Sequence, residues 1–164
     1  MINNNLILNV YEKKTLKSKI STQLLYGEKF SIIRKYKDCL KIKSSYDKYI
    51  GYISKKKYLT KMNPTHKVSV LKADLYSKPN KKFKLKKKIS FCSHIEVIDI
   101  KNSFYKFEKY WIKKENVLKL NDKIKLFNKV KIFKDIKYKW GGNSFKGIDC
   151  SALVQIFYKF NNKY

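Results

Sequence analysis

Cys150 is the residue whose surroundings best suit chemistry. It closes the run Tyr138, Lys139, Trp140, Gly141, Gly142, Asn143, Ser144, Phe145, Lys146, Gly147, Ile148, Asp149. Gly141 and Gly142 permit a backbone turn that side chains would obstruct, and Gly147 adds a second permissive point just before the cysteine. After Cys150, the residues Leu153, Val154, Phe157 and Phe160 recur at the spacing of one buried helix face. Asp149 then reads as the N-cap and Cys150 as a first-turn residue. A thiol there meets the positive end of the helix dipole, which favours the thiolate. The thiolate attacks carbonyls, and amides at the same helix end can receive the developing oxyanion. A cysteine can also open a helix simply as a small buried hydrophobe. Two glycine turns and an aspartate cap favour the nucleophile.

The stretch from Tyr138 to Ala152 resembles the NlpC family of papain-like cell-wall cysteine peptidases, of the dipeptidyl-peptidase VI type. That family carries an aromatic-x-Trp-Gly-Gly turn, a short loop, then Gly-x-Asp-Cys-Ser and a small residue. The resemblance implies Cys150 as nucleophile and Tyr138 as a residue lining the active site. It implies that Asp149 and Ser151 help to hold the free amine of a peptidoglycan stem peptide. The implied reaction cleaves next to D-glutamate, at the γ-D-glutamyl-diamino acid bond.

The family also requires a histidine several tens of residues after the cysteine. The sequence ends at Tyr164, and its two histidines, His66 and His94, precede Cys150. Neither can be carried over onto the family's base, so hydrolysis by this chain is expected to be absent or weak. Both histidines read as ordinary surface or strand residues. In the run Ile89 to Val97, Ile89, Phe91, Ile95 and Val97 form the apolar side of an alternating strand. His94 then falls on the wetter face with Cys92 and Glu96.

The 164 residues suffice for one ordinary domain or two to three small ones, and 43% hydrophobic content supports packed cores. No apolar run approaches the ~20 residues that cross a bilayer, and the N-terminus lacks the pattern of a secretion signal. A cytoplasmic protein without a membrane partner is expected. The three cysteines are widely spaced, which suggests neither a disulfide framework nor a metal site. Cys39 and Cys92 read as buried thiols. No cofactor is implied.

The formal net charge of +28 invites a nucleic-acid reading. The charge is spread evenly, however, with 30 basic and 9 acidic residues before position 121 and 10 and 3 after it. Lysine is accompanied throughout by Asn, Ile, Tyr and Phe, the signature of AT-rich codons. Lys55 to Lys57 and Lys86 to Lys88 read as solvated turns. No specific nucleic acid is expected, although so basic a surface should attract polyanions weakly and with steep salt dependence.

The elements that must position Cys150 are mostly strands. Phe30 and Ile32 share one face, Leu40 and Ile42 repeat the alternation after a polar turn at Lys37 and Asp38, and Tyr49 to Ile53 forms another short strand. Strands so short require closure into a small barrel, which removes unpaired edges. This segment resembles the bacterial SH3-like barrels that precede the catalytic domain in some NlpC-type enzymes, on Thr22 to Glu28 and Asp47 to Ile53. The resemblance implies that a barrel tyrosine, best matched by Tyr49, reaches the catalytic cleft and restricts the substrate to a free N-terminal L-alanine. As a bare residue, Tyr49 reads equally as an ordinary barrel tyrosine.

Leu75, Tyr76 and Pro79 echo Val10 and Tyr11, and Tyr110 to Ile112 echoes Gly51 to Ile53, which suggests a second barrel. Met62 to Thr65 is the expected linker, and Trp111 is expected to plug the second barrel. From Asn121 the period changes, with Ile124, Phe127, Val130 and Phe133 predicting a helix capped by Asn121. The expected architecture is mainly β with a terminal α/β part. It comprises two tandem SH3-like barrels (1–61 and 67–120) and the N-terminal half of a papain-like α+β domain (121–164). The apolar face of the Cys150 helix must find cover on the barrels or remain exposed. Three functions follow: a cysteine peptidase of peptidoglycan-derived peptides, a noncatalytic module that binds such peptides, and a nonspecific polyanion binder.

Overall fold

A computed structural model describes residues 1–163. The described residues are mainly β, with one α-helix near the C-terminal end. The first sheet contains β1 (Ile7–Tyr11), β2 (Ile20–Leu25), β3 (Phe30–Lys35), β4 (Cys39–Ser44) and β5 (Ile50–Ser54). Its antiparallel order is β2-β1-β5-β4-β3. Leu24 on β2 and Phe30 on β3 share one core with Leu8, Val10, Leu40, Ile42 and Ile53, so the sheet curls around a common interior. The expected complete closure is corrected, because β2 and β3 end the strand order and are not paired with each other. Side chains cover the β2 edge instead, as described below.

The second module contains β6 (His66–Val68), β7 (Lys72–Tyr76), β8 (Lys84–Ser90), β9 (His94–Ile95), β10 (Asp99–Lys101), β11 (Phe104–Phe107), β12 (Tyr110–Lys113) and β13 (Val117–Lys119). They form a five-stranded sheet, β10-β11-β12-β7-β8, and a three-stranded sheet, β13-β6-β9. Lys86 to Lys88 lie on strand β8, not in a turn. Residues 60–65 form an irregular linker, from which Met62 is buried in the second core. Ile2 and Tyr26 enter that same core, which fastens the first module to the second.

Three local expectations are corrected. Ile89 to Val97 is not one strand: Phe91 to Ser93 form a turn in which Cys92 adopts φ 68°. The turn sends Phe91 and Cys92 inward against the C-terminal helix, and Cys92 is fully buried. Trp111 is buried, but alternation along β12 places it outside the main core. Tyr110 and Ile112 face that core, while Trp111 joins Tyr76 and Phe104 in a separate cluster. No α-helix starts at Asn121, where the chain is irregular up to a 3-10 turn at Val130–Phe133. Tertiary bonds override the helical period there. The Asn161 amide takes both the N–H and the C=O of Ile124 at 3.0 Å, so neither can join a helical ladder.

The helix α1 (Cys150–Phe160) does find cover on the barrels. Of the expected face, Phe157 and Phe160 are buried, Leu153 is half-buried and Val154 is exposed, and Ala152 and Ile156 complete the buried side. These residues pack on Leu25, Phe91, Cys92 and Phe133. The Phe91 and Phe160 rings stack at 4.6 Å. Truncating a ring such as Phe157 in this cluster would cost about 3–5 kcal/mol.

Two buried lysines fix the same helix. Lys159 lies 2.6 Å from Glu28, with side-chain exposures of 8% and 9%. Burial works against its ammonium, but Glu28, Cys92 and Asp47 together outweigh burial and raise the pKa above the ordinary lysine value. Lys67 is fully buried, and its ammonium donates to the Phe160 carbonyl at the negative end of α1. Burial is the main cause that lowers the Lys67 pKa.

Candidate functional site

Cys150 opens α1 on a short hairpin made by β14 (Asn143–Ser144) and β15 (Gly147–Ile148). The preceding turn requires glycine. Gly141 has φ 64°, and a Cβ there would lie 2.5 Å from the Ile20 carbonyl oxygen, while one on Gly142 would lie 2.5 Å from the Gly147 carbonyl oxygen. The turn therefore packs against β2 with no room for a side chain.

Asp149 is the N-cap of α1, in extended backbone. Its Oδ1 accepts from the Ala152 N–H at 2.8 Å and from the Ser151 hydroxyl at 2.9 Å. Its Oδ2 accepts from the Gly141 N–H at 3.1 Å. One carboxylate thus joins the glycine turn to the helix start. Loss of such a cap costs about 1 kcal/mol.

The hairpin is anchored on both modules. Gln23 on β2 is buried, and its Oε1 accepts from the Asn143 N–H and the Ser144 hydroxyl, both at 3.0 Å. Its main-chain oxygen accepts from the Asn143 amide at 3.3 Å, and its own amide donates to Asn9 Oδ1 at 2.9 Å. These bonds cover the open β2 edge. From the second module, the Ser90 hydroxyl accepts from the Phe145 N–H at 3.2 Å. Sequence reasoning did not single out Gln23 or Ser90. For Gln23 the one available signal was a polar side chain directly before Leu24 and Leu25 on a strand, and its partner lies 120 residues away.

The resulting cleft, of about 200 Å³, brings together Cys150, Tyr138, Asp149, Ser151 and Tyr49. Trp140, Ser21, Thr22 and Asp47 line it as well. The Cys150 thiol is exposed, whereas Cys39 and Cys92 are buried. Burial pushes the Cys92 thiol up to about 12. Tyr138 and Trp140 are about two-thirds exposed at the rim, at 64% and 67%. Tyr49 precedes β5, where its N–H donates to Asp47 Oδ1 and to the Ser44 hydroxyl, each at 3.1 Å.

Both histidines lie outside this cleft. His66 packs on Tyr105 with centroids 4.8 Å apart and the rings tilted by 56°, and burial lowers its pKa. His94 is corrected from the wetter face to a half-buried position with its Nε2 enclosed. Its main-chain N–H donates to the Tyr26 carbonyl, and Nε2 is buried with no hydrogen-bond partner. Burial, with Lys159, Lys67 and Lys29, lowers the His94 pKa to about 4. Among the described residues, no group of His, Cys, Asp and Glu is placed to hold a metal ion, and no helix is long and apolar enough to cross a membrane.

Residues 10–57 match the family described as the bacterial dipeptidyl-peptidase SH3 domain. No curated protein matches the chain. A crystal structure of an NlpC/P60 family protein from Bacillus cereus ATCC 10987 superposes at TM-score 0.81 and 18% identity, over 98% of this chain and 72% of that one. NlpC2 and NlpC1 from Trichomonas vaginalis align at 18% and 17% identity over 97% of this chain, each with a TM-score of 0.33. The alignments span 64% and 61% of those two proteins. Residues 10–57 are thus similar to the bacterial dipeptidyl-peptidase SH3 domain, and the chain shares the fold of the Bacillus cereus NlpC/P60 family protein.

Proposed function

We propose that the chain forms the nucleophile-bearing and substrate-binding part of an NlpC-type cysteine peptidase acting on peptidoglycan-derived peptides. The observation that carries this reading is the convergence of Cys150, Tyr138, Asp149 and Ser151 with Tyr49 of the first module on one cleft. The Cys150 thiolate attacks the carbonyl carbon next to D-glutamate. The first-turn amides of α1 are the donors at hand for the oxyanion. Collapse breaks the C–N bond, the departing diamino acid takes up a proton, and water later hydrolyses the thioester. The bonds around Asp149 hold its carboxylate in place at the cleft, which suits electrostatic capture of the free substrate amine. Ser151 adds a hydroxyl, and Tyr49 closes the amine end against longer peptides.

A second reading is favoured by the positions of the histidines. With His66 and His94 both outside the cleft, this chain holds peptide without turning it over rapidly. The test therefore uses binding. Alkylation of Cys150 by iodoacetamide would be followed with and without L-Ala-γ-D-Glu, in the native chain and in Tyr49→Ala. Protection by the peptide, weakened in the variant, supports both the cleft and its ligand. Equal alkylation rates with and without saturating peptide would overturn the assignment.

A further inference from the structure

A second cleft, of about 520 Å³, lies on the other side of the nucleophile hairpin, where Asn4 and Asn5 face Lys86, Lys87, Lys88 and Lys146. Three separate parts of the fold converge there: the segment before β1, the outer strand β8 of the second module, and the loop between β14 and β15. Phe145 from that loop and Tyr110 from β12 complete the walls. No carboxylate is among the described residues lining the cleft. Lys88 is partly neutralised by Asp74 at 3.6 Å, and Lys87 donates to the Tyr110 hydroxyl at 3.2 Å.

Lysines on β8 alone have an ordinary explanation, because charge on an outer strand discourages pairing with other chains. That role does not call for a fourth lysine from the hairpin loop, nor for two asparagines from the N-terminal segment. A singly charged carboxylate would leave most of the cleft's positive charge unmatched. A phosphate monoester carries close to two negative charges and several acceptor oxygens, and lysine ammonium groups serve it well as mobile point charges. The Asn4 and Asn5 amide nitrogens already donate within the chain, to Lys57, Asn3 and Asn4, so it is their side-chain oxygens that suit hydroxyl groups beside the phosphate, and the half-buried Phe145 ring offers an apolar face. We propose that this cleft binds a phosphate-bearing ligand of about sugar-phosphate size, free or as the end group of a larger glycan. The inference does not depend on the peptidase reading.

The probes are glucose 6-phosphate, gluconate and a single-stranded oligonucleotide, each titrated calorimetrically into the 164-residue chain at low and moderate salt. Two variants of equal charge change are compared. One replaces Lys86, Lys87 and Lys146 with Gln in the cleft; the other replaces the exposed Lys13, Lys17 and Lys19 with Gln on the β1–β2 connection and the start of β2's approach. Glucose 6-phosphate should bind more tightly than gluconate. Its affinity should fall at least tenfold in the cleft variant and less than twofold in the control. Equal losses in the two variants would reduce the effect to diffuse charge and overturn the proposal. So would no measurable binding of the sugar phosphate, or tighter, cleft-dependent binding of the oligonucleotide.

Discussion

Replacing His94 with Gln should flatten the acid limb of the stability curve. The residue is half-buried, its Nε2 is enclosed with no partner among the described residues, and Lys159, Lys67 and Lys29 oppose a further positive charge, so its pKa falls from 6.5 to about 4. The unfolded chain therefore binds this proton more readily than the native one, and stability rises with pH in that window. The contribution is complete above pH 6.5, declines as the pH falls, and is fully lost below about 4. At ~1.4 kcal/mol per pH unit, the loss from this one group amounts to about 3 kcal/mol. Urea denaturation at a series of pH values from 7 to 4, in the native chain and in His94→Gln, isolates the effect, since the carboxylates that titrate in this range are common to both. The native protein should lose about 3 kcal/mol more than the variant over the series. Parallel curves would refute the argument and place a proton on His94, or water beside it, in the native state.

Three further outcomes follow from the packing. Lys159→Met strands the buried Glu28 carboxylate and should cost about 3–5 kcal/mol in denaturant unfolding, much of it regained in the double variant with Glu28→Gln. Gln23→Leu removes the acceptor for the Asn143 N–H and the Ser144 hydroxyl. It should lower stability by about 1–3 kcal/mol and raise hydrogen exchange at Asn143 without changing the cores. In the native state iodoacetamide should label Cys150 alone, as read by peptide mass spectrometry, with Cys39 and Cys92 reacting only after unfolding. Early labelling of Cys92 would contradict its enclosure against α1.

The turn and helix start around Cys150 were legible in the sequence because their determinants are local. Glycine spacing sets the turn, an aspartate cap starts the helix, and the cysteine follows at the first position, as the bonds of Asp149 to Gly141 and Ala152 show. Alternation likewise revealed the strands that carry Phe30, Ile32, Leu40 and Ile42. The helix expected from Asn121 failed because local periodicity competes with distant partners, and Asn161 takes the backbone groups of Ile124 that a helix needs. The wetter face assigned to His94 and Cys92 failed for a related reason: positive φ at Cys92 breaks the alternation, which leaves His94 half-buried and encloses Cys92, the buried thiol it was also read to be.

What the sequence by itself determined is the place of Cys150 behind an aspartate cap at the start of a helix, the glycine-dependent bend before it and the β character of the two modules. These depend on steric and capping preferences of neighbouring residues. Only the tertiary structure decided that Tyr49 shares a cleft with Cys150, that Gln23 and Ser90 hold the hairpin, and that Lys86 to Lys88 meet Lys146 across a groove. Those contacts join residues far apart in the chain, and no local rule records which strand edge or helix face will cover which.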